Sequence, residues 1–323
     1  MSIKNAHTSN GIKKRLLTGL QPSGNLHIGN YFGALKPFVD LYEEYDSFLM
    51  LADYHACTSK HNPTVLHEDT LNLARTYLAV GVDPKKAILF RQSDVPQHTE
   101  LAWIFNCLVS VPFLMQAHAY KDKVAKGLEA NAGLFTYPML MAADILLYDT
   151  DVVPVGSDQR QHVEYAREAA TKFRNAYSDI FKEPEERILE NVGVVPGTDG
   201  EKMSKSYGNT IPLFGSKDEI TKAVMGIVTD STGDIPEHVY AIHKLYRSEE
   251  DLMALYEEHK GKYKALKEAL IEDIEAHVAP MRERYESISD NEIKQVLTQG
   301  AEKAGAVAFA KMSEVRKEIG IAL

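Results

Sequence analysis

Residues 15–30 have the sequence RLLTGLQPSGNLHIGN, and this stretch decides the fold class of the 323-residue chain. The apolar run from Arg15 to Leu20 predicts a buried strand, the residues after it predict a turn, and a helix is predicted from about Ile28 to Glu44. Glycines let a ligand approach the backbone, a helix N-terminus offers unpaired N–H donors, and His27 can donate to phosphate oxygens. These features are typical of a nucleotide-binding turn, although an ordinary strand-to-helix turn with a solvated histidine is the alternative.

The alternation of strand and helix continues along the chain. Strands are predicted at Phe48–Asp53 and Ala87–Phe90, with a helix between them from Pro63, a residue suited to the first helical position, to Val80. A further strand is predicted at Val152–Val155, followed by a helix from about Asp158 to Phe173. This β-α-β-α-β order predicts an α/β fold with a Rossmann-like, doubly wound parallel sheet and right-handed crossovers.

Strand signals stop at about residue 215. The rest of the chain predicts almost continuous helix, with short breaks near Gly233, Ser248, Gly261 and Ser289. We therefore predict a Rossmann-like catalytic domain over residues 1–215 and an all-helical C-terminal domain over residues 216–323. Apolar residues at helical spacing mark one face of a long helix in this part: Tyr263, Leu266, Leu270, Ile274 and Val278.

The composition excludes several classes of protein. Hydrophobic residues at 44% and charged residues at 25% are ordinary for a globular chain and exclude disordered, collagen-like and disulfide-scaffold proteins. The two cysteines, Cys57 and Cys107, are too few for a cysteine-ligated zinc or iron–sulfur site, and such low usage favours the reducing cytoplasm. No signal-peptide core follows the basic residues 13–15. The formal net charge of −10 argues against nonspecific attraction to a polyanion such as DNA, but it leaves open a nucleic-acid partner bound through local basic patches.

The stretch Leu101–Tyr120 contains twenty residues without a formal charge, which is long enough to span a bilayer. A lipid-facing helix would solvate its polar residues poorly, so we expect a buried helical region or a subunit interface and no membrane association. The residues that disfavour a membrane span are Asn106, Ser110, Pro112, Gln116 and His118.

A second motif, GEKMSKS at residues 200–206, lies between Gly197 and Gly208. Two lysines and two serines between glycines indicate a mobile, cationic loop. Such a loop can close over a polyphosphate and neutralise charge as it moves to the leaving group. The alternative is a solvated surface loop.

Asp144 lies within an apolar stretch for which we predict a helix, with Thr136 as N-cap and with Tyr137 and Pro138 opening it. A carboxylate in so apolar a helix needs a donor. That donor belongs either to the protein, as a buried arginine or backbone amides, or to a ligand. Met141 lies on the same helix face, three residues earlier, where core packing is the alternative to a place in a pocket wall.

Taken together, HIGN at residues 27–30 and KMSKS at residues 202–206 resemble the paired signature of class I aminoacyl-tRNA synthetases. Asn30 departs from the commonest form, which has a second histidine there. Three longer strings are similar to the bacterial tryptophanyl branch: QPSG with IGNY, TYPMLMAADILLY at residues 136–148, and VPVGSDQRQH at residues 153–162. The resemblance covers the chain from about Leu16 onward.

The resemblance implies that L-tryptophan is activated with ATP to tryptophanyl-adenylate and pyrophosphate, and is then transferred to the 3′ end of tRNA(Trp). It also implies Mg²⁺ accompanying ATP without an obvious protein carboxylate pair to hold it, a homodimer formed through Leu101–Tyr120, and no editing domain. The C-terminal helices would recognise the anticodon, and their basic residues are Lys244, Arg247, Lys260, Lys262, Lys264 and Lys267. From the sequence alone these residues are solvated helix faces.

Site residues follow from the matching positions. Asp144 would accept the indole N–H of tryptophan. The other implied tryptophan-binding residues are Met141, Tyr137, Gln159, His55, Val153 and Val155. Implied ATP-binding residues are Gln21, Pro22, Ser23, Gly29, Asn30, Gly156, Ser157, Asp158, Val195, Lys202, Met203, Ser204, Lys205 and Ser206. The implied catalytic residues are His27, Lys123, Lys202, Ser204 and Lys205.

Three other functions fit parts of the pattern. A tyrosyl-tRNA synthetase shares the fold and both motifs, but its usual extra RNA-binding domain has no counterpart here. A non-catalytic RNA-binding paralogue would have no need for a leaving-group loop. A small nucleotidyltransferase without a tRNA partner would not need about 100 helical C-terminal residues.

Overall fold

The computed structural model describes residues 6, 11–125, 127, 130–155, 160–188, 195–229 and 234–322, without the side chains at positions 118, 119, 122, 123, 160, 162 and 188. Its described strands form one parallel sheet in the order β3-β2-β1-β4-β5. Strands β2 and β3 are added on one side of β1, whereas β4 and β5 are added on its other side, so the strand order reverses between β1 and β4. A ligand crevice is expected at the carboxyl ends of two strands that flank such a reversal. The strands are β1 Arg15–Leu20, β2 Asp46–Leu51, β3 Ala87–Arg91, β4 Val152–Val155 and β5 Glu185–Ile188.

The predicted doubly wound parallel sheet is confirmed, and β1 and β4 have the predicted bounds. Strand β2 begins two residues earlier than predicted and ends at Leu51, before the predicted end at Asp53. Strand β5, which sequence analysis missed, is short and charged and pairs in parallel with β4.

Helices surround the sheet. The helices that precede β5 in the chain are α1 Ile28–Asn30, α2 Lys36–Val39, α3 Asp53–Ala56, α4 Pro63–Ala79, α5 Gln97–Asn106, α6 Val111–Leu114, α7 His118–Ala125, α8 Ala132–Leu146 and α9 Arg160–Ala176. The C-terminal helices are α10 Lys217–Met225, α11 Glu237–His243, α12 Glu249–Glu258, α13 Tyr263–Ser287 and α14 Asp290–Glu318.

Two predicted helices have different bounds in the structure. The helix predicted from Ile28 to Glu44 is broken, because α1 passes into a π-helical turn at Tyr31–Leu35 and α2 ends at Val39. The prediction that Thr136 caps α8 is wrong. Asn131 caps this helix instead, accepting the N–H of Leu134 at 2.8 Å, and Pro138 lies inside it.

The uncharged stretch Leu101–Tyr120 does not form one long helix. Helix α5 ends at Asn106, α6 has four residues and α7 begins only at His118. Across the described ranges, no helix is long and apolar enough to cross a membrane.

The C-terminal helices share the hydrophobic core with the sheet. One core cluster contains Leu16 and Leu49 together with Ile274 from α13, and the other contains Leu17 and Ala308 from α14. Neighbouring residues of β1 thus enter different clusters, as expected for a strand buried on both faces. A division of the chain at residue 215 stays a prediction.

Candidate active site

In the first motif, His27 and Asn30 form a capping box at the start of α1, in which each side chain accepts a hydrogen bond from the other residue's backbone. His27 is the N-cap of α1, and its Nδ1 accepts the backbone N–H of Asn30 at 3.3 Å. In return, Asn30 Oδ1 accepts the N–H of His27 at 3.1 Å. The helix N-terminus is therefore less open than predicted, since the N–H of Ile28 also donates, to the carbonyl of Ile211 at 3.0 Å.

Burial fixes the charge of His27. Desolvation lowers the pKa of this imidazole and nearby Lys205 lowers it further, to about 4. The ring is therefore neutral near pH 7. Because Nδ1 accepts a hydrogen bond, the proton of the neutral ring is on Nε2, which is a donor.

The second motif is held by Asn209, a buried residue that sequence analysis missed. Its Oδ1 accepts the N–H of Ser204 at 2.8 Å, and its Nδ2 donates to Asp199 Oδ1 at 2.7 Å and to the carbonyl of Lys202 at 3.1 Å. The N–H of Met203 donates to the carbonyl of Val195 at 2.9 Å, and both side chains are buried. This loop is therefore more structured than a merely solvated surface segment. Its polar members Lys202, Lys205 and Ser206 are exposed.

The two motifs contact each other. Lys205 Nζ donates to the carbonyl of Ser23 at 2.5 Å, and the N–H of Leu213 donates to the carbonyl of Leu26 at 3.0 Å. A Cβ on Gly29 would lie 2.8 Å from His27 Nδ1 and 3.2 Å from the Cβ of Met203. Glycine is therefore required where the two segments pack together.

A charged pair beside this contact, Lys60 with Asp69, was also missed, since no motif marks it. Gly24 has a φ of 81°, and a Cβ there would lie 3.5 Å from Asp69 Oδ1 and 3.7 Å from Lys205 Nζ. Burial lowers the pKa of Lys205, and the opposing effects of Asp69 and Lys60 leave it lowered. Lys205 thus lies in a mixed cluster of charges beside the turn after β1.

The predicted pocket centres on Asp144, which is 1% exposed. His98 Nδ1 lies 2.6 Å and Gln92 Nε2 lies 2.7 Å from Asp144 Oδ1, while His55 Nε2 lies 2.7 Å from Oδ2. The structural donors in this site are therefore two histidines and a glutamine, rather than the arginine or backbone amides considered as one alternative from the sequence. No sequence motif marks Gln92 or His98.

Asp144 is ionised in these surroundings. Burial raises the pKa of this carboxyl group, but the hydrogen bonds from His55 and His98 outweigh burial and bring it to about 2. An ionised carboxylate only accepts hydrogen bonds, so each contacting nitrogen carries a proton.

The residues expected to form the pocket walls belong to one hydrophobic cluster. Val153 is buried in the same core cluster against which Met141 and Val155 pack half-buried. The rings of His55 and Tyr137 are 6.3 Å apart. Within the first motif, Gln21 and Ser23 are exposed and Pro22 is buried. Gly156, Ser157, Asp158, Gln159 and the side chain of Lys123 lie outside the described residues.

Cys57 and Cys107 are free and exposed. In the part of the chain that the structure describes, no group of three or more His, Cys, Asp or Glu side chains could hold a metal ion.

Among the basic residues of the C-terminal helices that were predicted to be solvated, Lys267 is buried instead. It donates to the carbonyls of Met225 and Ile227 at 2.9 and 2.7 Å.

Comparisons with known proteins agree with this architecture. The family model for class I tRNA synthetases (W and Y) matches residues 10–306. The tryptophan–tRNA ligase of Fusobacterium nucleatum is 46% identical over 319 residues, covering 95% of this chain and 98% of the relative. Tyrosyl-tRNA synthetase of Archaeoglobus fulgidus has a TM-score of 0.62 at 20% identity, a likeness of fold alone.

A solved structure gives the same result. The tryptophanyl-tRNA synthetase of Campylobacter jejuni, in complex with ADP and tryptophan, superposes with a TM-score of 0.90 at 46% identity. The match covers 95% of this chain and 99% of that chain. The chain therefore belongs to the class I tRNA synthetases of the tryptophan and tyrosine family, in the tryptophan–tRNA ligase branch.

Proposed function

We propose that this chain activates L-tryptophan with ATP and transfers the tryptophanyl group to the 3′ end of tRNA(Trp). The observation that carries the proposal is the direct contact between the two motifs, where Lys205 meets the carbonyl of Ser23 at the end of β1. This contact brings a cationic loop against the turn that lies at the switch point of the sheet, where nucleotides bind in such folds.

The first step is attack by the tryptophan carboxylate on the α-phosphorus of ATP. The bond from the α-phosphorus to the bridging oxygen breaks, and pyrophosphate leaves. Lys202 and Lys205 stabilise the charge that grows on the leaving group. His27 donates through its neutral Nε2–H to a phosphate oxygen, and Gln21 and Ser23 bind the nucleotide from the same turn. No side chain becomes a covalent nucleophile, because positioning and charge stabilisation are sufficient.

The remaining implied residues complete the nucleotide site in this proposal. Met203 and the backbone near Val195 close over the adenine, while Gly29 and Asn30 lie beside the adenosine. Gly156, Ser157 and Asp158 hold the ribose, and Lys123 reaches the polyphosphate. Pro22, Ser204 and Ser206 shape the two loops.

Tryptophan selection rests on Asp144. Each carboxylate oxygen can accept two hydrogen bonds; from the described residues, Oδ1 accepts two and Oδ2 accepts one. The remaining position on Oδ2 receives the indole N–H. Met141, Val153 and Val155 contact the indole ring, while Tyr137 and Gln159 bind the amino group.

Mg²⁺ enters this reaction with ATP. The phosphate oxygens supply most of its ligands, since Mg²⁺ is commonly bound through substrate phosphates and waters. The ion supplies charge neutralisation on the polyphosphate. Lys202 and Lys205 act on the same charge from the protein side.

A homodimer in the cytoplasm is the proposed assembly. Leu101 in α5 and Leu114 in α6 are buried, but Trp103 (70%) in α5, Val111 (60%) in α6 and Met115 (51%), directly after α6, are exposed. Several large apolar side chains exposed within one short stretch support an interaction surface there. The tRNA would be bound by the C-terminal helices.

Aminoacylation tests the function as a whole. The purified chain, ATP, Mg²⁺ and total bacterial tRNA are incubated with each labelled amino acid in turn. We expect only tryptophan to become acid-precipitable, and only on tRNA(Trp). Charging with tyrosine, or RNA binding without charging, would overturn the proposal.

A further inference from the structure

The carboxylate of Asp144 is held by a glutamine that no motif includes. Gln92 is 0% exposed and lies in a short turn directly after β3. Its Nε2 donates to Asp144 Oδ1 at 2.7 Å, and its Oε1 accepts the N–H of Tyr54 at 3.1 Å. One side-chain amide therefore connects α8, which carries Asp144, with α3, which carries His55.

His98 approaches the same oxygen from α5. Its Nδ1 lies 2.6 Å from Asp144 Oδ1, and its Nε2 lies 2.8 Å from the hydroxyl of Tyr148. Since the ionised carboxylate only accepts hydrogen bonds, Nδ1 of His98 carries the proton that lies toward Asp144. His98 and Tyr148 are both fully buried, so the imidazole ring is held between Asp144 and Tyr148 within the core.

These two donors make the carboxylate oxygens unequal. Among the residues that the structure describes, Oδ1 accepts from both Gln92 and His98, which fills its two positions, whereas Oδ2 accepts only from His55. The second torsion angle of an aspartate is otherwise broad, so a carboxylate with fewer partners could rotate. Holding Oδ1 from two sides prevents that rotation and reserves the free position of Oδ2.

We infer that Gln92 and His98 are positioning residues for tryptophan selection, which saturate Oδ1 of Asp144 so that Oδ2 alone, shared with His55, meets the indole N–H. The inference rests on the proposed function and adds to it two residues that touch the carboxylate rather than the substrate. It places part of the selectivity on the turn after β3 and on α5, outside all of the recognised motifs.

The test compares tryptophan with an analogue in which sulfur replaces the indole N–H, 3-benzothienylalanine. The readout is kcat/KM in ATP–pyrophosphate exchange by the full chain. We expect Gln92→Met and His98→Leu to reduce the preference for tryptophan roughly 10- to 100-fold, the range for a hydrogen bond to a charged group. The change should appear in KM for tryptophan, with KM for ATP unchanged.

A conservative variant and a matched control separate positioning from folding. His98→Asn keeps an N–H near the position of Nδ1, so it should recover much of the preference. His243→Leu removes another buried histidine that pairs with a carboxylate and a tyrosine, Asp273 at 2.7 Å and Tyr256 at 3.3 Å, far from the pocket in the chain. It should lower thermal stability and leave the preference intact.

One outcome would contradict the positioning role of Gln92 and His98, and another would contradict the role of Asp144. Unchanged preference in Gln92→Met and His98→Leu, with only the stability loss of His243→Leu, would overturn the inference and leave the proposed function standing. A parent protein that uses tryptophan and the sulfur analogue equally well would overturn the role of Asp144 itself, and the inference with it.

Discussion

Lys205 Nζ lies 2.5 Å from the backbone carbonyl oxygen of Ser23, although the two residues are 182 positions apart in the chain. The second motif is therefore docked on the turn after β1. In the proposed function, this position brings the ammonium group of Lys205 beside the polyphosphate of ATP.

Replacing Lys205 should affect chemistry more than binding. In Lys205→Ala and in Lys202→Ala we expect adenylate formation to slow about 10²- to 10³-fold, because charge on the departing pyrophosphate loses a stabilising donor. KM for tryptophan should change little. Single-turnover adenylate formation measures this, with Lys86→Ala, an exposed lysine paired with Glu43, as the control. A parent-like rate in both loop variants would show that the loop has another role.

Replacing Asp144 should impair the selection of tryptophan and leave the binding of ATP nearly unchanged. Asp144→Ala removes the acceptor for the indole N–H, and selection of tryptophan should weaken by about 1.5–3 kcal/mol, while KM for ATP stays nearly constant. Asp273→Ala is the matched control, since Asp273 also pairs with a buried histidine, but in the C-terminal helices. Pyrophosphate exchange kinetics give both constants. Unaltered tryptophan selectivity would remove Asp144 from the pocket.

The buried imidazole of His27 should make stability depend on pH. Its pKa is lowered from 6.5 to about 4, so between these values the unfolded chain binds more protons than the folded one. The free energy of unfolding should therefore fall as the pH drops from about 6.5 to 4, by at most about 3 kcal/mol from this group.

Comparison with His27→Asn isolates this contribution, because asparagine is also a good N-cap and does not titrate. Urea unfolding at pH 7 and pH 5 is measured for both proteins. The parent should lose more stability on acidification than the variant does. Equal losses would mean that His27 is not the titrating group, leaving His243 and His277, whose pKa values burial also lowers.

The exposed apolar side chains of α5 and α6 predict the state of assembly. Trp103→Glu should convert a dimer into monomers, since a charge buried in an interface costs more than it gains. Sedimentation velocity at micromolar concentration measures this. Met253→Glu, a substitution at another exposed apolar residue (67%), should leave the dimer intact. A parent protein that sediments as a monomer would contradict the proposed assembly.

Close packing of α14 on the sheet gives a stability prediction. A Cβ on Gly300 would lie 1.8 Å from the carbonyl oxygen of Leu89, so Gly300→Ala should destabilise the fold by about 1–3 kcal/mol or more. Gly305 is in the same helix with nothing within 4 Å, so Gly305→Ala should stabilise by up to about 1 kcal/mol. Urea unfolding distinguishes them, and equal effects would contradict the packing.

Elements with strong local signals were predictable. Strands β1 and β4 are apolar runs with clear ends, and their bounds match. The start of α8 was missed because Thr136 and Pro138 form a plausible local helix start, whereas Asn131 is the cap in the structure. Strand β5 is charged, and its pairing with β4 is a long-range contact that no periodicity reveals.

In the candidate site, too, the residues with a local sequence signal were predictable and those brought together by long-range contacts were not. Its motifs could be recognised because they are contiguous, but the partners of Asp144 could not. Gln92 and His98 are 52 and 46 residues from Asp144 in the chain, and an isolated glutamine or histidine carries no signal of its own. Only the tertiary packing of α8 against α5 and against the turn after β3 brings the two donors to one oxygen.

The most direct test of the central claim is ATP–pyrophosphate exchange without tRNA, measured with each of the twenty amino acids. The account predicts exchange with tryptophan alone, because activation precedes tRNA binding and Asp144 selects the indole N–H. Exchange with tyrosine instead would keep the fold and contradict the pocket. No exchange by the folded protein would contradict the claim that these two motifs form an ATP-activating site on their own.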